Sequence, residues 1–403
     1  MVGSCFLGEH LAFAMHLSPL AGVYRLRPTG GDTRDDPIWV HKHQQLTTSH
    51  MRTGGYKRSQ QNKSQPTPKR GFTMNAGQHG RAIPTVLCLG EALIDFIAET
   101  AGSLATAPRF LRCAGGAPAN VAVGIARLGV ACGFIGKVAA DPFGDFLVTT
   151  LQTNGVDTRR VVRSRDARTA LAFVSRTAGG ERDFLFYRNL CADLQLTEKD
   201  LPLDWLQQAR FLHIGGVSLS SDPSRQATLR AIEYAKANHV IVTFDPNLRL
   251  DLWKNGLAEC RQVVRSALSS TEIFLPSEEE LLLLMNTKDL DKAASQVLEL
   301  GPRVVCVKQG PKGASVTAMS PQGRVEGFRQ AAFTVPVVDT TGAGDGFNAG
   351  LLAGLANGMS LPVAVRQGTG VAALVITKKG AMSALPTYRQ LRRFLAHAHE
   401  KND

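Results

Sequence analysis

The chain has 403 residues, of which 44% are hydrophobic, and its net charge is +12. This length and apolar content predict a folded, soluble protein with one large core or two modest ones. Half of the excess positive charge lies in residues 1–80, which carry ten lysines and arginines against four acids. The remainder has no basic run with interleaved aromatic residues, so we expect no nucleic-acid partner.

The cysteines and the apolar runs indicate the cellular compartment in which the protein is expected. The seven cysteines are scattered and never spaced Cys-x-x-Cys, which predicts buried thiols in a reducing environment. No uninterrupted apolar run reaches the ~18 residues that a membrane span needs, and no basic segment precedes the apolar stretch near the start. We therefore expect a cytoplasmic protein without a membrane anchor or a secretory signal.

Residues 1–80 differ in composition from the rest of the chain. They hold six of the ten histidines and the polar tract "KRSQQNKSQPTPKR", which predicts a disordered, basic N-terminal extension. Transit peptides are also basic and poor in acids, so a plastid location is the alternative. A dispensable tail or a start at Met74 is the favoured interpretation, and the folded domain is expected to span residues 81–403.

From Thr85 onward, β-branched apolar runs alternate with helical patterns. Examples are "TVLCLG", "ANVAVGIARLG", "CGFIGKVA", "RQATLRAIEYAKANH" and "VIVTFDPN". Short strands separated by helices indicate parallel β-α-β units, and so an α/β fold. Residues 168–189 differ, because two alternating strands flank a Gly-Gly pair and predict a hairpin. Together with residues 92–99, this hairpin is expected to form a small sheet, the lid, over a cleft.

The stretch "PVVDTTGAGDGFNAGLLAGLANG" carries the strongest chemical signal. Its loop, Thr340 to Gly344, has little side-chain bulk and leads into a helix whose free N–H groups and dipole attract anions. Asp345 falls in the first turn, where its carboxylate could accept a proton from an attacking hydroxyl. The alternative is that Asp345 only caps the helix and the glycines only serve the turn.

Two common nucleotide loops do not fit this stretch. A dinucleotide-binding loop needs a glycine where Phe347 stands and an acid about twenty residues later, yet no Asp or Glu occurs between Gly346 and His399. The chain also contains no G-x-x-x-x-G-K-[ST] loop. Rossmann-type and Walker-type nucleotide binding are therefore excluded at this loop.

Two further stretches carry polar residues in an apolar setting. In "GGAPANVAVGIARLG", Gly115 and Gly116 allow a ligand to approach the backbone, and Asn120 directs an amide back into the loop. A tight turn without a ligand is the alternative. In "GEALIDF", Asp95 is a lone acid on an apolar strand, and it needs a partner. Sugar hydroxyls would serve, as would Arg168 or Arg188 on the lid hairpin.

Together these stretches resemble the ribokinase-like (PfkB) sugar kinases, from about Val86 to Pro386. The resemblance is greatest to plant-type fructokinases, through "GEALIDF", "GGAPANVAVGIARLG", "FIGKV", "ARTALAFV", "FYRN" and "DPNLRLDLW". It implies a three-layer α/β/α core with a mostly parallel sheet and a small β-sheet lid, with strands within about 92–113 and 168–189. The implied reaction is ATP-dependent phosphorylation of fructose to fructose 6-phosphate.

The resemblance also implies a role for each stretch. Asp345 would be the base, and the amides of Gly342, Ala343 and Gly344 would hold the transferring phosphate. The implied sugar ligands are Asp95, Gly115, Gly116, Asn120, Arg168 and Asn189, and the implied nucleotide residues are Asn247, Lys308, Gly310, Gly313 and Thr369. Magnesium would bind through phosphate and water near Glu280. Potassium would be held by Asp339, Thr341 and carbonyls around Ile376 and Gly380.

Two positions depart from the family pattern, and other functions remain open. Ser277 stands in the Asn place of the family's N-x-x-E motif, and Thr369 replaces the usual adenine-side Asn. Alternatives are a kinase for another sugar or a nucleoside, or a non-catalytic fructokinase-like partner of a plastid transcription complex. The expected partners are a small sugar and ATP, with a homodimer through the lid.

Overall fold

The structure of the protein is a computed structural model, and it describes residues 83–176, 182–320 and 322–398. The predicted N-terminal extension, Met74 and the Gly179-Gly180 turn of the lid hairpin lie outside the described residues.

Strands and helices alternate along most of the described chain. The strands are β1 (Val86–Leu89), β2 (Leu93–Ala98), β3 (Phe110–Gly115), β4 (Cys132–Ala139), β5 (Val161–Ser164), β6 (Leu171–Arg176), β7 (Arg182–Tyr187), β8 (Phe211–Gly215), β9 (Ile241–Asp245), β10 (Ile273–Phe274), β11 (Val304–Lys308), β12 (Ala314–Met319) and β13 (Val325–Gln330). The helices are α1 (Ala117–Arg127), α2 (Pro142–Thr153), α3 (Leu203–Leu206), α4 (Ser224–Ala237), α5 (Gly256–Leu268), α6 (Glu278–Met285), α7 (Leu290–Leu300), α8 (Ala343–Ala356), α9 (Leu361–Val375) and α10 (Tyr388–Leu395).

The main sheet has nine strands in the order β13-β12-β11-β10-β9-β8-β1-β4-β5. The pairs from β11 through β5 are parallel, and only β12 and β13 at one edge pair antiparallel. Parallel neighbours need crossover connections, which the intervening helices supply. The predicted α/β fold with a mostly parallel sheet is confirmed.

Side chains from the two faces of the main sheet enter two separate cores. On β1, Val86 and Cys88 join one core, whereas Leu87 and Leu89 join the other. The first core packs against α1, α2, α8, α9 and α10, and the second against α3 to α7. All four side chains are fully buried, and burial of one large aliphatic side chain contributes about 1.5–3 kcal/mol. The result is three layers, with helices on both faces of the sheet.

The lid is a separate four-stranded sheet in the order β3-β2-β6-β7. Strands β2 and β6 are parallel, and the other two pairs are antiparallel. On one face, Phe96 and Phe173 stack with ring centroids 5.2 Å apart, and Phe143 of α2 meets Phe96 edge-on at 5.9 Å. Asp95, next to Phe96, points to the opposite face, because successive side chains of a strand alternate. The predicted small sheet is therefore present, and Asp95 faces away from this aromatic cluster.

Within the described ranges, none of the helices combines the length and apolarity that a membrane crossing requires. Six cysteines lie in these ranges, and all but Cys113 are buried.

Helices α8 and α9 approach each other closely through small residues. A β-carbon added to Gly350 of α8 would lie 2.7 Å from the α-carbon of Gly368 in α9. One added to Gly354 would lie 3.0 Å from the α-carbon of Ala364. Backbone atoms cannot move aside as side chains can, so these glycines set the distance between the helices. Asp345 lies at the start of α8, so this packing also fixes its position.

We expect Gly350→Val to lower the free energy of unfolding by about 1–3 kcal/mol, because the larger side chain overpacks the contact between α8 and α9. Chemical denaturation measures the change. Ala356→Val at the partly exposed end of α8 is the control and should cost under 1 kcal/mol, or about the difference in helix propensity. Equal losses in both variants would contradict this account.

Candidate active site

A cavity of about 690 Å³ lies beside the carboxyl ends of four parallel strands. Glu91 follows β1, Val217 follows β8, Asp245 ends β9 and Lys308 ends β11, and all four residues line the cavity. The lid contributes Leu93, Asp95, Phe184 and Phe186 to the wall. Open α/β sheets bind ligands at this edge, so the cavity is the candidate active site.

Two helices start at the cavity, and each start requires a glycine. Gly116, before α1, has φ of 101°, and a β-carbon there would overlap the carbonyl oxygen of Glu91. Gly342, before α8, has φ of 74°, and its β-carbon would lie 2.6 Å from that of Ala381. The positive ends of both helix dipoles therefore reach the cavity, and the sequence predicts an anion site at one of them, the start of α8.

The predicted anion loop lies in the cavity wall. Gly342, Ala343 and Gly344 all line the cavity. The N–H of Ala343 already donates to the carbonyl oxygen of Thr340 at 3.3 Å, in a weak turn hydrogen bond. A β-carbon on Gly344 would lie 3.5 Å from Nζ of Lys308, so this ammonium group lies directly beside the loop. The dipole of α8 and the charge of Lys308 favour an anion at the same place.

Asp345 is buried in the first turn of α8, with its carboxylate in the cavity wall. Its Oδ2 accepts a hydrogen bond of 2.8 Å from Nδ2 of Asn120 in α1. Burial raises the pKa of Asp345 to about 6, and the charge of Asp245 adds to the rise. The Asn120 hydrogen bond, Lys308 and Arg249 oppose it. Asp345 is therefore mainly ionised at neutral pH and can act as a proton acceptor.

Asp95, on lid strand β2, lines the same cavity as Asp345. Its pKa is raised to about 7, chiefly by burial and also by the charge of Asp345, while Arg249 acts in the opposite direction. Asp95 forms no ion pair in the described part of the chain, so the suggested pairs with Arg168 or Arg188 are wrong. Arg188 instead lies 2.5 Å from Asp193. The carboxylate of Asp95 therefore remains available to a ligand.

Three predicted sugar residues lie outside the cavity wall. Arg168 and Asn189 are exposed, and neither lines the cavity. Gly115 lies behind the wall, where an added β-carbon would overlap Oδ2 of Asp95. This glycine therefore makes room for the Asp95 side chain and not for a ligand. Gly116 and Asn120, by contrast, line the cavity as predicted.

The predicted nucleotide residues, Asn247, Lys308, Gly310, Gly313 and Thr369, all line the cavity. Lys308 is tethered, because its Nζ lies 2.5 Å from Oδ2 of Asp245, which also accepts a 2.5 Å hydrogen bond from Asn348. Burial alone lowers the pKa of Lys308, but Asp245 and Glu280 outweigh it and the pKa is raised. Lys308 is thus a fixed positive charge in the cavity wall.

Glu280 and Ser277 form the N-terminal cap of α6. Ser277 Oγ accepts from the N–H of Glu280 at 3.2 Å, and Glu280 Oε2 accepts from the N–H of Ser277 at 2.8 Å. Glu280 Oε1 accepts from the N–H of Leu248 at 2.7 Å. Both carboxylate oxygens of Glu280 therefore already accept a backbone hydrogen bond. The described residues contain no cluster of three or more metal-ligating side chains.

The four residues predicted to hold a monovalent cation meet beside the anion loop. Asp339 Oδ1 accepts from the N–H and hydroxyl of Thr341 at 2.9 and 2.6 Å, and its Oδ2 accepts from Gly380 at 3.0 Å. The carbonyl oxygen of Ile376 accepts from the N–H of Val338 at 2.8 Å. Thr341 and Ile376 line the cavity, whereas Asp339 and Gly380 lie behind it. Hydrogen bonds therefore join residues 339–341 to residues 376–380 beside the loop.

The sequence analysis missed several residues of the wall. Arg249 is the only residue besides Lys308 that brings a positive side chain to the described wall, and its guanidinium lies 5.7 Å from the Phe184 ring of the lid. Asp245 and Arg249 both fall in "DPNLR", at the carboxyl end of a predicted strand, and this position could have identified them. Glu91 adjoins Asp95 in "GEALID" and could have been found in the same way.

Comparisons with known proteins identify the family of the chain. Residues 84–388 match the family model "pfkB family carbohydrate kinase". The chain is 42% identical over 325 residues to a probable fructokinase-6, chloroplastic, of Arabidopsis thaliana, covering 78% of this chain and 83% of that protein.

Two solved structures have the same fold. Fructokinase from Xylella fastidiosa with bound ATP has a TM-score of 0.70 and 33% identity, covering 78% of this chain and 99% of that one. Fructokinase from Vibrio cholerae with fructose, ADP and a calcium ion has a TM-score of 0.70 and 34% identity, with the same coverage.

The raised pKa of Asp95 leads to a prediction for stability. Because the folded state keeps this proton to about pH 7, it binds more protons than the unfolded state between about pH 4 and pH 7. The contribution of Asp95 to stability is therefore greatest in acid and is lost as the pH rises through 7. We expect Asp95→Asn without ligands to melt above the wild type at pH 8 and level with it near pH 4. Equal melting temperatures at pH 8 would contradict the prediction.

Proposed function

Because the chain belongs to the pfkB family of carbohydrate kinases, we propose that this ATP-dependent carbohydrate kinase phosphorylates fructose to fructose 6-phosphate. The observation that carries the proposal is the Asp345 carboxylate, which Asn120 orients at the anion-binding start of α8. Asp95 supplies a second carboxylate in the same cavity. The fructokinases among its relatives support fructose as the acceptor.

The proposed chemistry uses a base and an anion site that lie beside each other at the start of α8. Asp345 accepts the proton of the attacking sugar hydroxyl while the oxygen bonds to the γ-phosphorus of ATP and ADP leaves. The N–H groups at the start of α8 and the ammonium of Lys308 stabilise the negative charge on the transferring group. The N–H groups are those of Gly342, Ala343 and Gly344. Because Lys308 is already tethered, little reorganisation is needed at the moment of transfer.

Asp95 is proposed to grip the sugar by accepting hydrogen bonds from its hydroxyls, with Gly116 and Asn120 beside it. Phe184 and Phe186 of the lid close the wall above the site. Asn247, Lys308, Gly310, Gly313 and Thr369 are proposed to lie along the nucleotide.

Magnesium would bind through the phosphates and water near Glu280, where it neutralises phosphate charge. Potassium would take the oxygens of Asp339, Thr341, Ile376 and Gly380.

Other functions are less favoured. A different hexose, a ribose or a nucleoside would meet the same carboxylates, and a panel of these acceptors tests that alternative directly. A non-catalytic role in a plastid transcription complex would not require the complete set formed by Asp345, Asn120 and the glycine loop. The fructokinase relatives also favour the enzyme.

Two further expectations concern the whole protein in the cell. We propose a cytoplasmic location, with the plastid as the alternative that the chloroplastic relative raises. A fluorescent fusion to the C-terminus of the full chain distinguishes the two. We also propose a homodimer through the lid, where Leu111, Leu185 and Tyr187 are exposed. Light scattering of a Leu185→Lys variant tests the dimer.

Replacing the base gives the most direct test of mechanism. We expect Asp345→Asn to lower kcat by on the order of 10²–10⁴, since the hydroxyl loses its proton acceptor. ATP affinity should change little, and the folded state should not lose stability, because a buried charge is removed. Turnover near the wild-type level in a correctly folded variant would rule out Asp345 as the base.

Replacing the sugar carboxylate tests the acceptor site. An amide can accept hydroxyl bonds at only one of its two polar atoms, and charge-assisted hydrogen bonds contribute about 1.5–3 kcal/mol each. We therefore expect Asp95→Asn to raise the KM for fructose by roughly tenfold or more, with ATP affinity unchanged. Calorimetric titrations with fructose and with an ATP analogue separate the two effects. Equal weakening of both ligands would show that Asp95 does not bind the sugar.

A further inference from the structure

Three buried polar atoms without a hydrogen-bond partner belong to residues beside the ends of lid strands β2 and β7. They are Oε2 of Glu91, Nη2 of Arg188 and Oδ1 of Asp193, and all three residues are at most 5% exposed. Glu91 precedes lid strand β2 by two residues, and Arg188 directly follows lid strand β7. Buried polar atoms are almost always paired, so this cluster requires an explanation.

Arg188 is the only positive charge that acts on Glu91 in this cluster. Its Nε donates to Oδ2 of Asp193 at 2.6 Å, and its Nη2 lies 2.5 Å from the same oxygen without a hydrogen bond. Burial raises the pKa of Glu91 to about 7, Arg188 lowers it, and Asp193 raises it. The Arg188 guanidinium therefore pairs with Asp193, and its charge also acts on Glu91, whose pKa is about 7.

The other oxygen of Glu91 holds the start of helix α1. Glu91 Oε1 accepts from the N–H of Ala117, the first residue of α1, at 3.0 Å. The residue at the N-cap position is Gly116, which has no side chain to supply this acceptor. A carboxylate at the positive end of a helix is a strong cap, because it meets both an unpaired N–H and the dipole.

Asn120 connects this cap to the base. Its backbone N–H donates to the carbonyl oxygen of Gly116 at 2.9 Å, in the first turn of α1. Its side-chain Nδ2 donates to Asp345 at 2.8 Å. Any displacement of the first turn of α1 therefore displaces the hydrogen bond that orients the Asp345 carboxylate.

We infer that Glu91, with Arg188 as its counter-charge, is a positioning residue for phosphoryl transfer. It fixes the first turn of α1 and, through Asn120, the orientation of Asp345, and so connects the base to the junction of the lid. The inference rests on the proposed role of Asp345 as the base. Because ionised Glu91 is the stronger cap, this positioning is most effective when the carboxylate carries its charge.

Glu91→Gln is the informative substitution, since it keeps an oxygen for the Ala117 N–H but removes the charge. We expect kcat for fructose to fall about tenfold at pH 8, with the KM for ATP unchanged. The ratio of wild-type to variant kcat should approach one near pH 6, where wild-type Glu91 is protonated and resembles Gln. If Glu91→Gln only disturbed packing, the ratio of wild-type to variant kcat would not depend on pH.

Glu259→Gln is the matched control. Glu259 also accepts from a backbone N–H, that of Asn255 at 3.0 Å, and pairs with Arg225 at 2.6 Å, but it does not line the cavity. We expect this control to keep wild-type kcat at every pH. Arg188→Lys, which keeps the counter-charge, should lose less activity at pH 8 than Arg188→Gln. Similar losses of activity in the two Arg188 variants would contradict the role of Arg188 as a counter-charge.

The route through Asn120 is tested by combining substitutions. In an Asn120→Ala background, Glu91→Gln should have no further effect on kcat, because the connection is already broken. The inference would be overturned if the losses of kcat from the two substitutions multiplied. It would also be overturned if the ratio of wild-type to Glu91→Gln kcat did not depend on pH. If Asp345→Asn is inactive while Glu91→Gln behaves like Glu259→Gln, only the positioning role fails. If Asp345→Asn keeps turnover, the proposed mechanism fails as well.

Discussion

The hydrogen bond between Asn120 and Asp345 is the interaction on which the site depends. It joins the first turns of α1 and α8, which are 225 residues apart in sequence and pack side by side on one face of the main sheet. Gly116 and Gly342 let both helices begin at the cavity, and the small residues of α8 hold it against α9. The sheet, the glycines and the helix packing together determine where the Asp345 carboxylate lies.

The cavity wall contains several buried carboxylates, and few positive charges offset their negative charge. Glu91, Asp95 and Asp345 all have raised pKa values because burial disfavours their charged forms. Lys308 is held by Asp245, and Arg249 lowers the pKa of both Asp95 and Asp345. Fixed positive groups of this kind suit a site that must receive the negative charge of a nucleotide. The free site is therefore arranged for charged ligands at some cost in stability.

Sequence patterns predicted much of this structure. Alternation of strands and helices identified the parallel sheet, and period-two alternation identified the lid strands, because these signals are local. The sequence also located the glycine loop and Asp345 in the cavity wall, because a helix start at Gly342 with positive φ requires glycine at a specific turn.

Arg168 and Asn189 lie outside the described cavity wall, and the position of residues that flank the lid strands depends on how the lid meets the main sheet. An ion pair of Arg188 with Asp95 was one alternative from the sequence, whereas in the structure Arg188 pairs with Asp193, five residues later. The capping role of Glu91 depends on a contact with Ala117 that no local pattern encodes.

The three acids with raised pKa values have a consequence beyond catalysis. Each is partly protonated near neutral pH, so ligand binding that changes its environment must also exchange protons with the solvent. A sugar that stabilises ionised Asp95 would release a proton on binding, and a nucleotide that crowds negative charge near Asp345 would favour uptake. Binding of each substrate is therefore linked to protonation of these buried carboxylates. Each affinity would depend on pH even where no chemical step occurs.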